Sequence, residues 1–359
     1  MTDLIRDDGL TIARAWHDGA PELDGAGVAV SGASGLIGRH VVAVLLGLAD
    51  VHGTPTTVFA LGRNRAKLEA AFATWRDDPR LRLVEADLAD GGSWPPTATH
   101  LIQAASPATP GAFADDPVGV IRANVLATLR GVDQAVALGA RYCYISSMEV
   151  YGAVPRQGGA ADQEIDERAV GLLDPLDVRS AYPESKRLCE ALVVAAARQH
   201  GLRGDIVRLS HTYGPGMGEG DDRVQAELVR QAVRGEPVVL KSDGALRRHY
   251  TYAADAAAAI VRILATSGAR TAPAAFNVAD SDARVSIKQL AELVLTAAGR
   301  SPGELVVAVG TPDARLWSKA PGAVYLATTK LRALGWAPVF SLNDGMARTV
   351  EYARGQVAR

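Results

Sequence analysis

The sequence is poor in cysteine, in aromatic residues and in net charge, and the shortages of cysteine and of charge each argue against a class of protein. Its two cysteines, Cys143 and Cys189, lie in apolar surroundings, which excludes a disulfide framework and predicts a reducing, cytoplasmic location. Aromatic residues make up 5% of the 359 residues, and the formal net charge is −2. A charge so close to zero gives no electrostatic reason to expect binding to nucleic acid or to an anionic membrane.

Long apolar runs and metal-binding patterns are also lacking. No run reaches the roughly 20 apolar residues that a membrane-spanning helix needs, so we expect no membrane span. The start of the chain has too many acids for a signal or transit peptide, and residues 1–26 are predicted to form a leader helix that packs on the body. The seven histidines show no metal-ligand spacing, and no metal is expected.

Small and branched apolar residues are abundant, and hydrophobic residues make up 48% of the chain. From Gly27 to Ser210, short β-branched runs alternate with longer helical patterns, which predicts an α/β fold with a Rossmann-type, doubly wound parallel sheet. A smaller substrate domain is expected to be interleaved with it. The predicted division is 27–210 with 250–280 for the dinucleotide-binding domain, and 211–249 with 281–359 for the substrate domain.

A glycine-rich loop follows the first predicted strand in the segment VAVSGASGLIGRH. Glycines allow a tight turn and a close backbone approach, and the N-terminus of the next helix offers free N–H groups to a pyrophosphate. This position, between a first strand and a first helix, indicates a dinucleotide cofactor. The predicted contacts in the loop are Gly32, Ser34, Gly35, Leu36, Ile37 and Gly38.

The end of the second predicted strand leaves the choice between NAD and NADP open. Gly62 stands where NAD-binding proteins carry a carboxylate, and Arg63 follows it. A guanidinium suits the 2′-phosphate of NADP, but an arginine that stacks on adenine permits either cofactor. Asp87 is predicted either to accept a hydrogen bond from the adenine amino group or to act as a helix cap. The remaining predicted cofactor contacts are Leu88, Ala104 and Ala105.

The segment YPESK indicates a reaction centre. Tyr182 and Lys186 are four residues apart and share one face of a predicted helix. An ammonium near a phenol, together with a nicotinamide cation, is expected to lower the pKa of the phenol toward working pH. The tyrosinate then takes a hydroxyl proton while hydride leaves for the cofactor, and Lys186 also holds the nicotinamide ribose.

These motifs, with SSMEVYG, RLSHTYGPG and LGWAP, resemble those of the extended short-chain dehydrogenases/reductases. The segments AASPATP and DPVGVIRANVLAT are similar to the nucleotide-sugar branch, that is, to UDP-glucuronate decarboxylases and dTDP-glucose 4,6-dehydratases in the NAD-dependent epimerase/dehydratase family. The resemblance implies NAD, a nucleoside-diphosphate sugar bound between two domains, and transient oxidation of that sugar at C4. It also implies a homodimer built on the predicted helices 118–138 and 182–197.

The resemblance assigns roles to the motif SSMEVYG. Ser147 matches the serine or threonine that binds the reacting hydroxyl. In the 4,6-dehydratases two acids follow it, one for the leaving C6 hydroxyl and one as the base at C5. Here these positions hold Met148 and Glu149, so dehydration is put in doubt and chemistry at C5 is retained. Glu149 is also suited to a simpler role, as an acceptor for backbone or sugar hydroxyl groups.

Further positions resemble substrate contacts. Arg248 stands where the family places a diphosphate-binding arginine, and paired N–H groups suit phosphate. His211 replaces a usual asparagine and is either a diphosphate contact or an interior histidine. Ser106, Met148 and Arg223 complete the predicted substrate contacts.

The predicted function is therefore NAD(P)-dependent modification of a nucleoside-diphosphate sugar, with epimerisation or decarboxylation favoured. Elimination of the 4,6-dehydratase type is one alternative. A second is an NADPH-dependent ketoreductase of a non-sugar metabolite, which Arg63 would suit. A third is a non-catalytic nucleotide-sensing protein on the same fold, although a sensor has no use for a Ser–Tyr–Lys set.

Overall fold

The computed structural model describes residues 3–154, 164–270, 272–308 and 324–357. The strands, in chain order, are β1 (Gly27–Ser31), β2 (Thr57–Gly62), β3 (Leu81–Glu85), β4 (His100–Gln103), β5 (Arg141–Ser147), β6 (Glu164–Ile165), β7 (Arg203–Leu209), β8 (His211–Tyr213), β9 (Val239–Leu240), β10 (Arg247–Tyr252), β11 (Ala274–Val278), β12 (Arg284–Ser286), β13 (Val306–Val307) and β14 (Tyr325–Leu326). The helices are α1 (Leu4–Ala15), α2 (Leu36–His52), α3 (Arg65–Ala71), α4 (Pro110–Asp115), α5 (Pro117–Leu138), α6 (Ala181–His200), α7 (Val224–Val233), α8 (Ala253–Ala265), α9 (Ile287–Ala297), α10 (Thr329–Arg332) and α11 (Leu342–Val357).

Seven parallel strands form the central sheet in the order β11-β7-β5-β4-β1-β2-β3. The strands are rich in β-branched and other apolar residues because both faces are covered by helices. One core contains residues of α1, α2 and α8, and the other contains residues of α5 and α6. The predicted Rossmann-type, doubly wound parallel sheet is confirmed. The strand order reverses beside β1, and ligands of such sheets bind at the carboxyl ends of the strands at that point.

The smaller strands lie outside this sheet. β8, β10 and β12 form a three-stranded sheet, β9 pairs with β13, and β6 pairs with β14. The chain leaves the large sheet after β7 and returns to it with β11. The domain boundaries at residues 210, 249 and 280 stay a prediction.

The N-terminal helix α1 packs against α2 at very short range. A Cβ atom on Gly9 would collide with the carbonyl oxygen of Ala43, and one on Gly47 would lie 2.5 Å from the carbonyl oxygen of Gly9. The buried Asp8 carboxylate accepts hydrogen bonds from the Tyr252 hydroxyl at 2.6 Å and from Nε of Arg348 at 2.6 Å. Both the N-terminal and the C-terminal helix are therefore fixed to the body of the protein.

The described residues contain neither a membrane-spanning helix nor a metal-binding cluster. Over the described ranges, every helix is too short or too polar to cross a membrane. The same residues hold no cluster of three or more histidine, cysteine, aspartate or glutamate side chains arranged to bind a metal ion.

Candidate active site

The glycine loop joins β1 to α2 in a shape that leaves room for a cofactor backbone. Gly32 has a φ of 63°, which only glycine adopts readily, and a Cβ atom there would lie 2.8 Å from Cα of Ala105. A Cβ atom on Gly38 would collide with the carbonyl oxygen of Gly32. Gly35 precedes α2 and provides no side-chain cap, so the first N–H groups of this helix are available to an anion. This donor set fits a pyrophosphate.

A serine that sequence reasoning missed fixes the neighbouring strand end. The Ser31 hydroxyl accepts hydrogen bonds from the backbone N–H groups of Ala104 at 3.0 Å and Ala105 at 3.1 Å. It donates to Oε1 of Gln103 at 3.2 Å. The predicted contacts Ala104 and Ala105 are thus held against the glycine loop. A hydroxyl residue directly before the first glycine was the available signal.

Arg39, in the first turn of α2, also went unpredicted. Its Nη2 donates to the carbonyl oxygen of Ser34 at 2.6 Å, and its Nη1 donates to the Tyr352 hydroxyl at 3.2 Å. The guanidinium therefore connects the glycine loop to α11. No local pattern in the sequence predicts a contact between residues so far apart along the chain.

Just after β2, Arg63 projects into solvent, with 78% of its side chain exposed. Its Nη1 lies 3.9 Å from Oδ2 of Asp87. Oδ1 of Asp87 accepts a hydrogen bond from the backbone N–H of Ala89 at 2.9 Å, but residues 88–91 form a turn, so this carboxylate stabilises a turn and does not cap a helix. The next residue, Leu88, is buried. The predicted adenosine contacts thus gather at one place.

The predicted reaction centre lies where α6 passes the end of β5. Tyr182 and Lys186 are both buried, and the Lys186 ammonium lies 5.7 Å from the centroid of the Tyr182 ring. Nζ of Lys186 donates to the carbonyl oxygen of Ile145 on β5 at 2.8 Å. The strand end that carries Ser147 is therefore tied directly to the helix that carries the phenol.

Several groups act on the pKa of the Tyr182 phenol. Burial raises this pKa, the negative charge of Glu149 raises it further, and hydrogen bonding with Ser147 and the charge of Arg223 lower it. The lowering expected from Lys186 together with a nicotinamide cation stays a prediction for the protein with its cofactor bound. Burial also lowers the pKa of Lys186 to about 8.

An aromatic residue that belongs to no recognised motif packs against the Tyr182 phenol. The ring of Phe113, on the short helix α4, stacks on the ring of Tyr182 with a centroid distance of 4.3 Å. Both residues belong to one small buried apolar cluster. Sequence reasoning missed Phe113, because a single phenylalanine in a loop-rich segment carries no positional signal.

Glu149 lies in the helical turn that follows β5, and its backbone N–H donates to the Ser147 hydroxyl at 3.2 Å. Burial raises the pKa of the Glu149 carboxyl to about 7, although the positive charges of Arg179 and Arg248 oppose this shift. Met148 instead packs against an apolar cluster that includes Tyr151. The turn therefore presents one titratable group, Glu149, to the site.

Three of the predicted substrate contacts, Arg248, Arg223 and His211, lie near enough for their charges to act on one another. Burial lowers the pKa of His211 well below its usual value, and the charges of Arg248 and Arg223 add to this, so the imidazole is neutral. Arg223 pairs with Asp221 at 2.5 Å and donates to the carbonyl oxygen of Thr212 at 3.0 Å. Its guanidinium is thus already held by the protein, in contrast to the simple diphosphate contact expected from the sequence.

The Ser106 hydroxyl also forms a hydrogen bond within the protein. It donates to Oδ1 of the buried Asn124 at 2.7 Å, and Nδ2 of Asn124 donates to the Ser185 hydroxyl at 2.9 Å. The Ser185 hydroxyl lies on α6 between Tyr182 and Lys186. Asn124, which sequence reasoning did not select, therefore links the loop after β4 to the helix of the reaction centre.

Several proteins of known activity are similar to this chain. It is 29% identical to UDP-glucuronic acid decarboxylase 5 of Arabidopsis thaliana over 322 residues, which cover 89% of this chain and 86% of that protein. UDP-glucuronic acid decarboxylase 1 of Xenopus tropicalis is 27% identical over 94% of this chain and 74% of that protein.

Solved structures share the fold. The dTDP-glucose 4,6-dehydratase DesIV of Streptomyces venezuelae, determined with NAD bound, superposes with a TM-score of 0.75 at 24% identity, over 92% of this chain and 98% of that chain. The UDP-glucuronic acid 4-epimerase of Bacillus cereus, in complex with NAD and UDP-glucuronic acid, superposes with a TM-score of 0.74 at 19% identity, over 92% of this chain and 99% of that chain.

The family model described as the NAD dependent epimerase/dehydratase family matches residues 28–279, which include the glycine loop, Ser147, Tyr182 and Lys186. The match agrees with the fold and with the gathering of these residues at the carboxyl ends of the parallel strands. This protein belongs to the NAD-dependent epimerase/dehydratase family.

Proposed function

We propose that this protein is an NAD-dependent decarboxylase of a nucleoside-diphosphate hexuronic acid, of which UDP-glucuronic acid is the first candidate. The observation that carries the proposal is the turn after β5, where Glu149 faces the charges of Arg179 and Arg248 and the preceding Met148 offers no proton. The names of the curated relatives, which are UDP-glucuronic acid decarboxylases, support it.

The glycine loop and the N-terminus of α2 would hold the pyrophosphate of the cofactor, and Lys186 would hold its nicotinamide ribose. When bound, NAD accepts a hydride from C4 of the sugar and later returns it. Tyr182 takes the proton of the C4 hydroxyl, and Ser147 donates a hydrogen bond to the same oxygen. The Lys186 ammonium is the positive charge that this chain supplies beside the tyrosinate.

Glu149 serves the carbon next to that centre. Once C4 is a ketone, the bond between C5 and C6 can break, because its electrons pass to the ketone oxygen as carbon dioxide leaves. The resulting enolate must then receive a proton at C5. A carboxyl with a pKa of about 7 holds a proton over part of the neutral range and is suited to supply it. Arg179 and Arg248 supply positive charge for the substrate diphosphate or carboxylate.

Loss of water from C6, as in a 4,6-dehydratase, requires an acid at the position of Met148. A thioether cannot donate a proton, and the Met148 side chain packs against apolar residues. Replacement by an acid, Met148→Asp, is therefore not expected to create a dehydratase, because the acid would also need the C6 hydroxyl within reach.

The test is incubation with UDP-glucuronic acid and NAD in heavy water, followed by mass spectrometry and NMR of the product. We expect loss of carbon dioxide and one deuterium at C5. Tyr182→Phe should lower turnover by about 10²-fold or more, the range typical of acid–base groups. Tyr142→Phe, a matched change on β5 away from the site, should leave turnover close to normal.

Other outcomes of this experiment would contradict the proposal and indicate a different reaction. Deuterium at C5 without loss of carbon dioxide would indicate 5-epimerisation. Product of unchanged mass without exchange would indicate 4-epimerisation. Stoichiometric consumption of NADPH with a carbonyl compound would indicate a ketoreductase.

A further inference from the structure

A second carboxylate, that of Glu190, lies behind the reaction centre. Glu190 is four residues after Lys186, so their side chains lie on one face of α6, one turn apart. The residue is buried, with 8% of its surface exposed. Its Oε2 accepts from Nη2 of Arg208 at 2.6 Å, and its Oε1 accepts from Nε of Arg208 at 3.0 Å. One guanidinium therefore holds both oxygens of this carboxylate.

Glu190 and Lys186 hold two consecutive residues of β5. Oε1 of Glu190 accepts a hydrogen bond from the Ser146 hydroxyl at 2.6 Å, and Nζ of Lys186 donates to the carbonyl oxygen of Ile145 at 2.8 Å. Ser147 is the next residue of the strand. Two adjacent turns of α6 therefore fix the strand end that presents Ser147 to the site.

The Glu190–Arg208 pair also connects the reaction centre to β11, the edge strand of the central sheet, and to β6. Nη1 of Arg208 donates to the Tyr151 hydroxyl at 2.9 Å, and that hydroxyl donates to Oδ1 of Asn277 at 2.6 Å. Nδ2 of Asn277 donates to the carbonyl oxygen of Ile165 on β6 at 3.2 Å. Glu190 thus lies at the centre of a buried network that reaches β7, β11 and β6.

The charge of Glu190 acts on Lys186. Burial lowers the pKa of the lysine to about 8, and the negative charges of Cys189 and Glu190 oppose that shift. Of these two residues, Glu190 is the carboxylate, and it lies one helical turn from Lys186 and pairs with Arg208. The other groups around the lysine are the rings of Tyr144 and Tyr182 and, behind Glu190, the Arg208 guanidinium.

We propose that Glu190 is a positioning residue of the reaction centre, which keeps the Lys186 ammonium charged and fixes Ser147 through Ser146. The importance of both effects for turnover rests on the proposed function, since Lys186 and Ser147 act there on cofactor and sugar. The effect on the charge of Lys186 belongs to the protein alone and can be measured without any ligand.

The chain contains only six lysines, which makes a direct titration practical. The protein is labelled with lysine carrying ¹³C at the ε position, and the Lys186 resonance is assigned by its loss in Lys186→Arg. We expect its midpoint to lie about 1 unit lower in Glu190→Gln than in the unchanged protein, the size typical of one nearby opposite charge. Glu184→Gln, the same change on an earlier turn of α6, should leave the midpoint in place. An unchanged Lys186 midpoint in folded Glu190→Gln would overturn the proposal.

Two further variants separate charge from position. The alkaline limb of the pH–rate profile is the fall in rate at high pH that is expected when Lys186 loses its proton. Glu190→Asp retains the charge, so it should retain both the Lys186 midpoint and this alkaline limb even where kcat falls. Ser146→Ala removes only the hydrogen bond to the strand, so it should lower kcat by about 10-fold at every pH without moving that limb. If Glu190→Gln does not fold because Arg208 is left unpaired, a shifted limb in Glu190→Asp or a normal kcat in Ser146→Ala overturns the proposal.

Failure of the proposed function looks different. If Tyr182→Phe and Lys186→Met retain turnover, the assigned reaction is wrong, whatever Glu190 does. If those variants are inactive while Glu190→Gln retains both the midpoint and the rate, only the role of Glu190 is wrong.

Discussion

The rings of Phe113 and Tyr182 lie almost parallel, with their centroids 4.3 Å apart and their planes inclined by 18°. The stack removes water from one face of the phenol that the proposed reaction uses. Because an ionised phenol needs solvation that an apolar neighbour does not give, this contact contributes to the burial that raises the pKa of Tyr182.

Truncation of Phe113 should therefore change the ionisation of Tyr182. We expect Phe113→Ala to lower the pKa of the phenol by about 1 unit or more, because water then reaches the ring. Phenolate absorbance near 295 nm, followed against pH, measures it after subtraction of the same titration in Phe113→Ala/Tyr182→Phe. If the subtracted titration of Phe113→Ala shows phenolate at no lower pH than the protein that retains Phe113, the stack does not control the ionisation of Tyr182.

Glu149 should make stability depend on pH. Burial raises the pKa of its carboxyl from 4.5 to about 7, so between these values the folded protein binds a proton that the unfolded chain has released. The free energy of unfolding therefore falls as the pH rises through this window. Above pH 7, Glu149→Gln should be more stable than the unchanged protein by about 1–3 kcal/mol.

Urea unfolding of both proteins, at about pH 5 and about pH 8, measures this difference. Burial also raises the pKa of Asp255 to about 7. Asp255 contributes the same pH dependence of stability to both proteins, so its contribution cancels when they are compared. Glu351→Gln, an exposed change on α11, is the control. An equal pH slope with and without Glu149 would exclude Glu149 as its source.

Arg63 decides the cofactor if its guanidinium binds a 2′-phosphate. Arg63→Ala should then weaken NADP binding by about 1–3 kcal/mol, the range for a charged hydrogen bond, and leave NAD binding nearly unchanged. Calorimetry with both cofactors measures this, and Arg65→Ala, a neighbouring exposed arginine that pairs with Glu69, is the control. Equal losses for both cofactors would identify Arg63 as an adenine-stacking residue.

Exposed apolar side chains on α5 and α6 lead us to expect a homodimer. On α5, Val118 is 65% exposed and Ile121 is 42% exposed, and on α6 Leu188 is 54% exposed. Light scattering at micromolar concentration should give twice the chain mass, and Ile121→Glu should give a monomer, because burial of the new charge opposes association. Val51→Glu, at an exposed position of α2, should remain dimeric. A monomeric unchanged protein would contradict the expectation.

The parts of the site that sequence predicted are those built from neighbouring residues. Gly32 and Gly38 form one turn, and Tyr182 and Lys186 share one helix face, so spacing alone indicated their geometry. Arg39 with Tyr352, and Phe113 with Tyr182, are contacts between distant segments that no spacing rule reaches. The pKa of the Tyr182 phenol is a related case. Proximity of a lysine can be read from a motif, but the loss of water around a phenol depends on everything that packs against it.

The pairing of Asp8 with Arg348 makes the α1–α2 contact depend on α11. Gly9 and Gly47 allow α1 and α2 to approach closely, and their contact buries the Asp8 carboxylate, with Nε2 of His40 3.6 Å away. Arg348 on α11 supplies the guanidinium that pairs with this carboxylate. Without α11 the carboxylate would lie buried and lack that pair, so loss of the last described helix would weaken the packing of the first.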